Sequence, residues 1–362
     1  MDTKTIILAT SALALLAACS KSEVLPVESA PQEITFQTVE TKEASNFSTD
    51  NHFYSYAYFL EKDKTWANNS ADAKAYISNS EIQYVSEETA WKNAKTKYYW
   101  PKKGSLTFFA WTDNTAAPAV DPSNAVSCAA DSGIKFTDYD ITTTTNKNKD
   151  LLVADIAKDQ KENTTQYDGW QKGVPTVFKH ILSNLVFNIK TDYATSKDEY
   201  ASVTFNLKSI ELKNVNTKGT YTQGEVTTTT PAWTAKTAPW SSQTESETLE
   251  IFNGTLAVTK ATDIPTAITS SYSIVLPQTF AAVTGDITST TPVITVVYDI
   301  VTNYTGNAVT ETITVTKSLN EIYSGKWEPA KKYTLTLIVG LNEILWDPDI
   351  TDWTGVSNSI NI

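Results

Sequence analysis

Arginine is absent from this chain, and all 29 basic residues are lysine. Cleavage by any arginine-specific protease is therefore excluded. Cysteine and histidine each occur twice and methionine once in 362 residues. If one cysteine is taken up by a modification, no internal disulfide can form, and the core alone must hold the fold. Glycine is scarce, at 12 residues, and none lies in a phosphate-cradling loop. No apolar run reaches the roughly 20 residues that a membrane-spanning helix needs. Acidic residues outnumber basic ones 41 to 29, for a net charge of −12. Such a surface repels the phosphate backbone, which excludes nucleic acid as a partner.

From residue 33 onward the chain is rich in Thr, Val, Ile, Tyr, Trp and Phe, residue types that suit a pleated, half-buried surface. The odd positions from Tyr333 to Leu341 make one apolar face with a period of two. Val203, Phe205 and Leu207 keep that period, and Ile210 and Leu212 resume it out of phase, which predicts a bulge near Lys208-Ser209. Ile34, Phe36 and Thr38 form another alternating face. Ile294, Val296, Tyr298 and Ile300 are expected to pair with Ile313 and Val315 across a loop at Thr305-Gly306-Asn307. One short helix is expected, capped by Ser86 with Glu87 and Glu88 in its first turn and running through 89–95. Residues 141–149 and 226–247 read as loops or hairpin tips, and the polar stretch 158–173 suggests a domain boundary. The expected fold is all-β, with two β-sandwich domains in tandem at 33–172 and 173–362.

The N-terminus reads as a secretion signal. Lys4 precedes an apolar run over 6–16, broken only by Thr10 and Ser11, and Leu16-Ala17-Ala18-Cys19 closes it. That closing tetrapeptide resembles the lipobox of bacterial lipoproteins. The resemblance implies removal of residues 1–18, lipid attachment to Cys19, and a tether over 19–32 leading to the folded chain.

Little in the sequence points to chemistry. No metal-type spacing joins His52 and His180, and nothing beside Cys128 would activate its thiol. Asp347, Asp349 and Asp352 lack the glycine and later glutamate of a calcium loop and read as a solvated turn. No catalytic residue, metal site or cofactor is expected, and the chain is read as something other than an enzyme. The ten tryptophans divide by context. Trp100, Trp111, Trp327 and Trp346 lie beside strand patterns and are expected to pack. Trp66, Trp170, Trp233 and Trp240 lie in polar, loop-like contexts and could stack on sugars. A non-polymeric surface lipoprotein that binds glycans or host ligands through these loop aromatics is thus the alternative function.

The segment Val177-Phe178-Lys179-His180-Ile181-Leu182-Ser183-Asn184-Leu185-Val186-Phe187-Asn188-Ile189 resembles the signature of the fimbrillin family of Bacteroidota. Other family-like pieces follow in order: Tyr98-Tyr99-Trp100-Pro101, Asp150-Leu151-Leu152-Val153-Ala154, Ile274-Val275-Leu276-Pro277-Gln278, and Trp327-Glu328-Pro329 leading to Ile350-Thr351-Asp352-Trp353. The resemblance implies two transthyretin-like β-sandwich domains on an outer-membrane lipoprotein, exposed at the surface and built into a fimbria. It implies proteolytic removal of a first strand and filling of the groove by the C-terminal segment of another subunit, as strand addition to an open sheet edge allows. The strand removed would be 34–38, and the cut would fall between Lys42 and Glu43, where the family commonly has arginine. The donor strand would be the tail, with Val356, Ile360 and Ile362 on one face. If the lysine site is not cut, the resemblance implies an anchor or minor component. The implied partners are other fimbrial subunits, outer-membrane lipid through the acylated end, and host or bacterial surface ligands.

Overall fold

The computed structural model describes residues 31–38, 47–93, 95–121, 125–162, 173–191, 201–223, 240–258, 265–304, 306–341 and 344–353. They are nearly all β. In chain order the first strands are β1 (Phe36–Thr38), β2 (Phe53–Leu60), β3 (Lys74–Val85), β4 (Ala90–Asn93), β5 (Ser105–Thr112), β6 (Ala125–Ala129), β7 (Gly133–Asp140), β8 (Leu152–Ala154) and β9 (Ala157–Gln160). Next come β10 (Val174–Thr176), β11 (Phe178–His180), β12 (Ser183–Lys190), β13 (Ala201–Thr222), β14 (Trp240–Val258), β15 (Thr266–Ala267) and β16 (Ile274–Val275). The last are β17 (Gln278–Thr279), β18 (Val293–Tyr304), β19 (Asn307–Ser318), β20 (Lys326–Trp327), β21 (Lys331–Val339) and β22 (Ile344–Asp352). Among the described residues no helix is long and apolar enough to cross a membrane.

Nine strands make the first sheet, in the order β10-β1-β4-β3-β2-β5-β8-β11, with β9 also on β5. Its two end strands, β10 and β11, are separated in sequence only by Val177. A single residue spans a few ångströms, so the sheet must curl until its two edges meet. The enclosed core holds Ile34, Phe36, Phe53, Trp91, Phe108 and Phe178 among others. β5 is buried along its whole length. Leu106, Phe108 and Ala110 face this inner core, while Phe109 and Trp111 face the larger one. Burial on both faces explains why β5 shows no polar alternation.

The larger core lies between a sheet ordered β15-β12-β21-β22, with β16 also on β12, and a sheet in which β19, β18, β13 and β14 pair in turn. On β21 the alternation holds, with Tyr333, Leu335, Leu337 and Val339 buried. The bulge is where the phase slip places it, with a register shift between Leu207 and Ser209. β18 and β19 pair as expected, Val296 opposite Val315 and Tyr298 opposite Ile313. β6 and β7 leave the first sheet and join β13, whereas β10 and β11 belong to the first sheet. Gln223 ties the layers together, donating to the Ala154 carbonyl at 2.9 Å and accepting from the Ile134 amide at 3.1 Å.

Two local expectations are corrected. Ser86–Glu88 is one 3-10 turn, Thr89 takes a left-handed φ of 49°, and the chain then enters β4 rather than a helix. Burial of Trp91 in the inner core decides this against local propensity. Asp347, Asp349 and Asp352 lie within edge strand β22, not in a turn. Among the described residues no group of three or more His, Cys, Asp or Glu could hold a metal ion.

Candidate assembly site

The first strand is held on both sides. The Ile34 amide donates to the Tyr98 carbonyl at 2.8 Å, and the Trp100 amide donates to the Gln32 carbonyl at 2.9 Å. On the other side β10 runs parallel to β1, and the Val174 amide donates to the Thr35 carbonyl at 2.8 Å. Phe36 stands opposite Trp91 on β4, and its ring meets those of Phe53 and Phe108 edge-on at 5.6 Å each. Gly173 lets β10 lie this close. A Cβ there would stand 2.9 Å from the Phe36 carbonyl carbon and 3.1 Å from the Gln37 nitrogen. Just before β1, Glu33 accepts from the Lys92 ammonium at 3.1 Å, and Glu88 is that ammonium's second partner. The hydrogen bonds that the ammonium donates to these two carboxylates, Glu88 foremost, push the Lys92 pKa up against the opposing effect of burial.

The chain returns to this core at Phe47, whose ring packs on Phe178 at 5.0 Å, Trp91 at 5.2 Å and Phe53 at 5.9 Å. Lys42 and Glu43 fall between these anchors, outside the described residues. Cys19, Val356, Ile360 and Ile362 also lie outside them, as do Trp170 and Trp233.

β11, the heart of the signature segment, touches both ends of the chain's described course. Phe178 meets Phe47 and Phe53 in the inner core. Lys179 pairs with Asp155 at 2.9 Å. His180, 1% exposed, bonds through Nδ1 to the Asp150 carboxylate at 2.7 Å. Its ring is stacked by Trp353, with centroids 3.9 Å apart and planes 10° from parallel. The Trp353 amide donates to the Ala330 carbonyl at 2.8 Å. Phe47 and Gly173 have no local signal that would mark them, and Trp353 was marked only as the end of a family-like piece, not by its partner. Their partners are remote in sequence, and only the aromatic and glycine identities hinted at a packing role.

Two of the loop tryptophans are core residues. Trp66 is buried, and its amide donates to the Asp159 carboxylate at 2.9 Å. Trp240 is buried, and its indole donates to the Ile181 carbonyl at 2.7 Å. Neither offers a ring face for stacking on a sugar. Cys128 is set beside Tyr58, whose hydroxyl donates to the Cys128 carbonyl at 2.6 Å. Burial pushes the Cys128 thiol up to about 12, leaving it protonated and inert at neutral pH.

No curated protein matches the chain. Among solved structures it is similar to a fimbrial protein from Bacteroides vulgatus ATCC 8482, with 17% identity and a TM-score of 0.61, covering 89% of this chain and 100% of that one. It is also similar to the fimbrial anchor protein Mfa2 from Porphyromonas gingivalis, with 10% identity and a TM-score of 0.32 over 90% of this chain and 98% of that one. The tip fimbrial protein Mfa3 from the same organism shows 12% identity and a TM-score of 0.35 over 90% and 100%. At 17% identity the likeness to the Bacteroides vulgatus protein is one of fold. In sequence, the fimbrillin-like family matches residues 39–353, a span that runs from the segment after β1 to the tryptophan on His180. The chain therefore belongs to the fimbrillin-like family, as a cell-surface fimbrial protein and not an enzyme.

Proposed function

We propose that this chain is a fimbrial subunit, exported as a lipoprotein acylated at Cys19 to the outer membrane and assembled by strand exchange. The strand given up is β1, after a cut between Lys42 and Glu43 by a protease that accepts lysine. The strand received is the C-terminal segment of another subunit, with Val356, Ile360 and Ile362 as its apolar side chains.

The observation that carries this reading is the way β1 is held. Between Gln32 and Thr38 only Ile34 and Phe36 are buried apolar side chains, seated in a groove of larger aromatics. At about 1.5–3 kcal/mol each, they hold a cut strand with about 3–6 kcal/mol. That is a modest apolar anchor for a strand that has lost covalent continuity. Ile360 and Ile362 repeat the two-residue spacing of Ile34 and Phe36. A donor with more apolar positions than β1 would bind the vacated groove more tightly.

The test is the N-terminus of the protein recovered from its native cell surface. A chain beginning at Glu43 is the polymerising form. A chain beginning at acylated Cys19 keeps β1 in its groove, which makes the protein an anchor-type subunit and defeats strand exchange at this site. An unmodified Cys19 at the mature end would refute the lipoprotein assignment.

A further inference from the structure

The C-terminal sheets have unequal edges. β22 carries Pro348 in mid-strand and exposes Asp347, Asp349 and Asp352, which block addition of another strand. β14 is broken by repeated register shifts against β13. β19 has neither proline nor register shifts, and its edge charges are one glutamate and one lysine of opposite sign, Glu311 and Lys317. It pairs with β18 over twelve consecutive positions, and among the described strands nothing pairs on its outer side. Its two faces are sharply sorted. Thr310, Thr312, Thr314 and Thr316 lie on the face away from the core, with Val309, Glu311, Ile313, Val315 and Lys317 on the other. The strand partners of that second face, Ile294, Val296, Tyr298 and Ile300, are buried, yet Ile313 and Val315 are only half-buried and Val309 is 66% exposed. The core face thus runs out to an edge that water still reaches.

We propose that β19 pairs antiparallel with the β19 of a second copy of this chain, about a two-fold axis at Thr314, joining two C-terminal sheets edge to edge. The sequence of the strand is self-complementary in that register. Glu311 of each copy stands opposite Lys317 of the other, Ile313 opposite Val315, Thr312 opposite Thr316 and Thr310 opposite Ser318. Neighbouring registers lose this. An axis at Ile313 puts Glu311 against Val315, one at Val315 puts Lys317 against Ile313, and one at Glu311 sets the two glutamates face to face. A slip that pairs odd with even positions would turn Ile313 and Val315 to the wrong side. In the free chain Lys317 pairs with Glu321, an exposed contact that adding Glu311 of the other copy extends into a three-membered charge group. Isologous pairing of this kind closes on itself, so it joins subunits in pairs, sideways to any head-to-tail fibre.

Two measurements on the full chain test this, with protein made in the cytosol of a heterologous host so that no acyl chain is added. In the first, Thr314→Cys is oxidised. On the axis the two Cα atoms would be about 4.5–5.5 Å apart, within disulfide range. A crosslinked dimer should form well above the wild-type background from Cys19 and Cys128. Thr310→Cys is the control, because its two copies would lie eight residues, or about 27 Å, apart along the strand. In the second, sedimentation velocity should show a dimer for the wild type. Glu311→Lys should weaken it at least about tenfold by placing like charges opposite each other twice. Glu311→Lys with Lys317→Glu should restore it to within about threefold. Each substitution is on an exposed edge, and circular dichroism checks that the fold is kept. A monomeric wild type at about 100 μM, equal crosslinking of the two cysteine variants, or a dimer indifferent to charge reversal would each overturn the proposal.

Discussion

The imidazole of His180 lies flat against the indole of Trp353, and the Asp150 carboxylate holds it in plane from its Nδ1 side. The ring's Nδ1 meets the Asp150 carboxylate, and Nε2 is buried with no hydrogen-bond partner among the described residues. Burying a ring nitrogen without a partner costs stability, and packing against the tryptophan face offsets part of that cost. The stack ties Trp353 to the signature strand, whose Phe178 shares the inner core with Phe36 of β1.

Replacing Trp353 with alanine is expected to lower stability by about 1–3 kcal/mol, because it removes the stack and opens His180 to solvent. Trp353→Phe should recover at least half of the loss. Urea denaturation of the three proteins reads this directly, and an alanine variant within about 0.3 kcal/mol of wild type would contradict it.

Gly173→Val is expected to dislodge β1. The added Cβ meets backbone atoms of Phe36 and Gln37, which cannot rotate away as a side chain could. The expected result is a loss of about 1–3 kcal/mol together with faster tryptic cutting at Lys42. Unchanged cutting and unchanged stability would mean that β1 does not need the close approach of β10.

The Cys128 thiol should react slowly in the folded chain. With its pKa pushed up to about 12, its thiolate fraction at pH 8 is of order 10⁻⁴, against roughly a quarter for an unperturbed thiol. Alkylation by iodoacetamide should therefore be at least about a hundredfold slower than in urea. Similar rates in the two states would show the thiol to be exposed.

The buried tyrosines should make stability fall at alkaline pH and contribute no pH dependence below it. Burial raises Tyr56 and Tyr333 to about 12, and Tyr139, Tyr221 and Tyr323 are pushed up by the same cause. Unfolded tyrosine ionises near pH 10, so above that pH the unfolded chain has released protons that the folded chain still holds. The stabilisation is complete below about pH 10 and is lost as pH rises through about 12. Denaturation midpoints at pH 8, 9, 10 and 11, with tyrosinate absorbance followed alongside, test the sign. A midpoint that rises across this range would reverse it.

Trp66→Ala and Trp240→Ala are expected to cost about 3–5 kcal/mol each, as truncations of buried aromatics do. If either variant instead kept its stability and lost binding to an oligosaccharide panel, the glycan-binding alternative would gain the ground that burial takes from it.

By itself the sequence determined the β character of the chain and much of its local register. Period-two alternation is a property of neighbouring residues, so the buried face of β21, the bulge after Leu207 and the pairing of β18 with β19, though not its register, were legible before any contact was known. The signature around Phe178-Lys179-His180 was legible in the same way, as a string. What that string does was not. His180 and Trp353 are 173 positions apart, and Gly173 meets Phe36 across a parallel pairing that no local pattern encodes. Tertiary structure alone decided that Trp66 and Trp240 are core, that Trp91 pulls a helix-like segment into β4, and that the acidic stretch around Pro348 is an edge strand. The reason is physical. Periodicity reports which face of a segment turns inward, whereas burial of a lone aromatic in a polar context depends on which distant elements close over it. That closure is set by how the sheets fold onto one another.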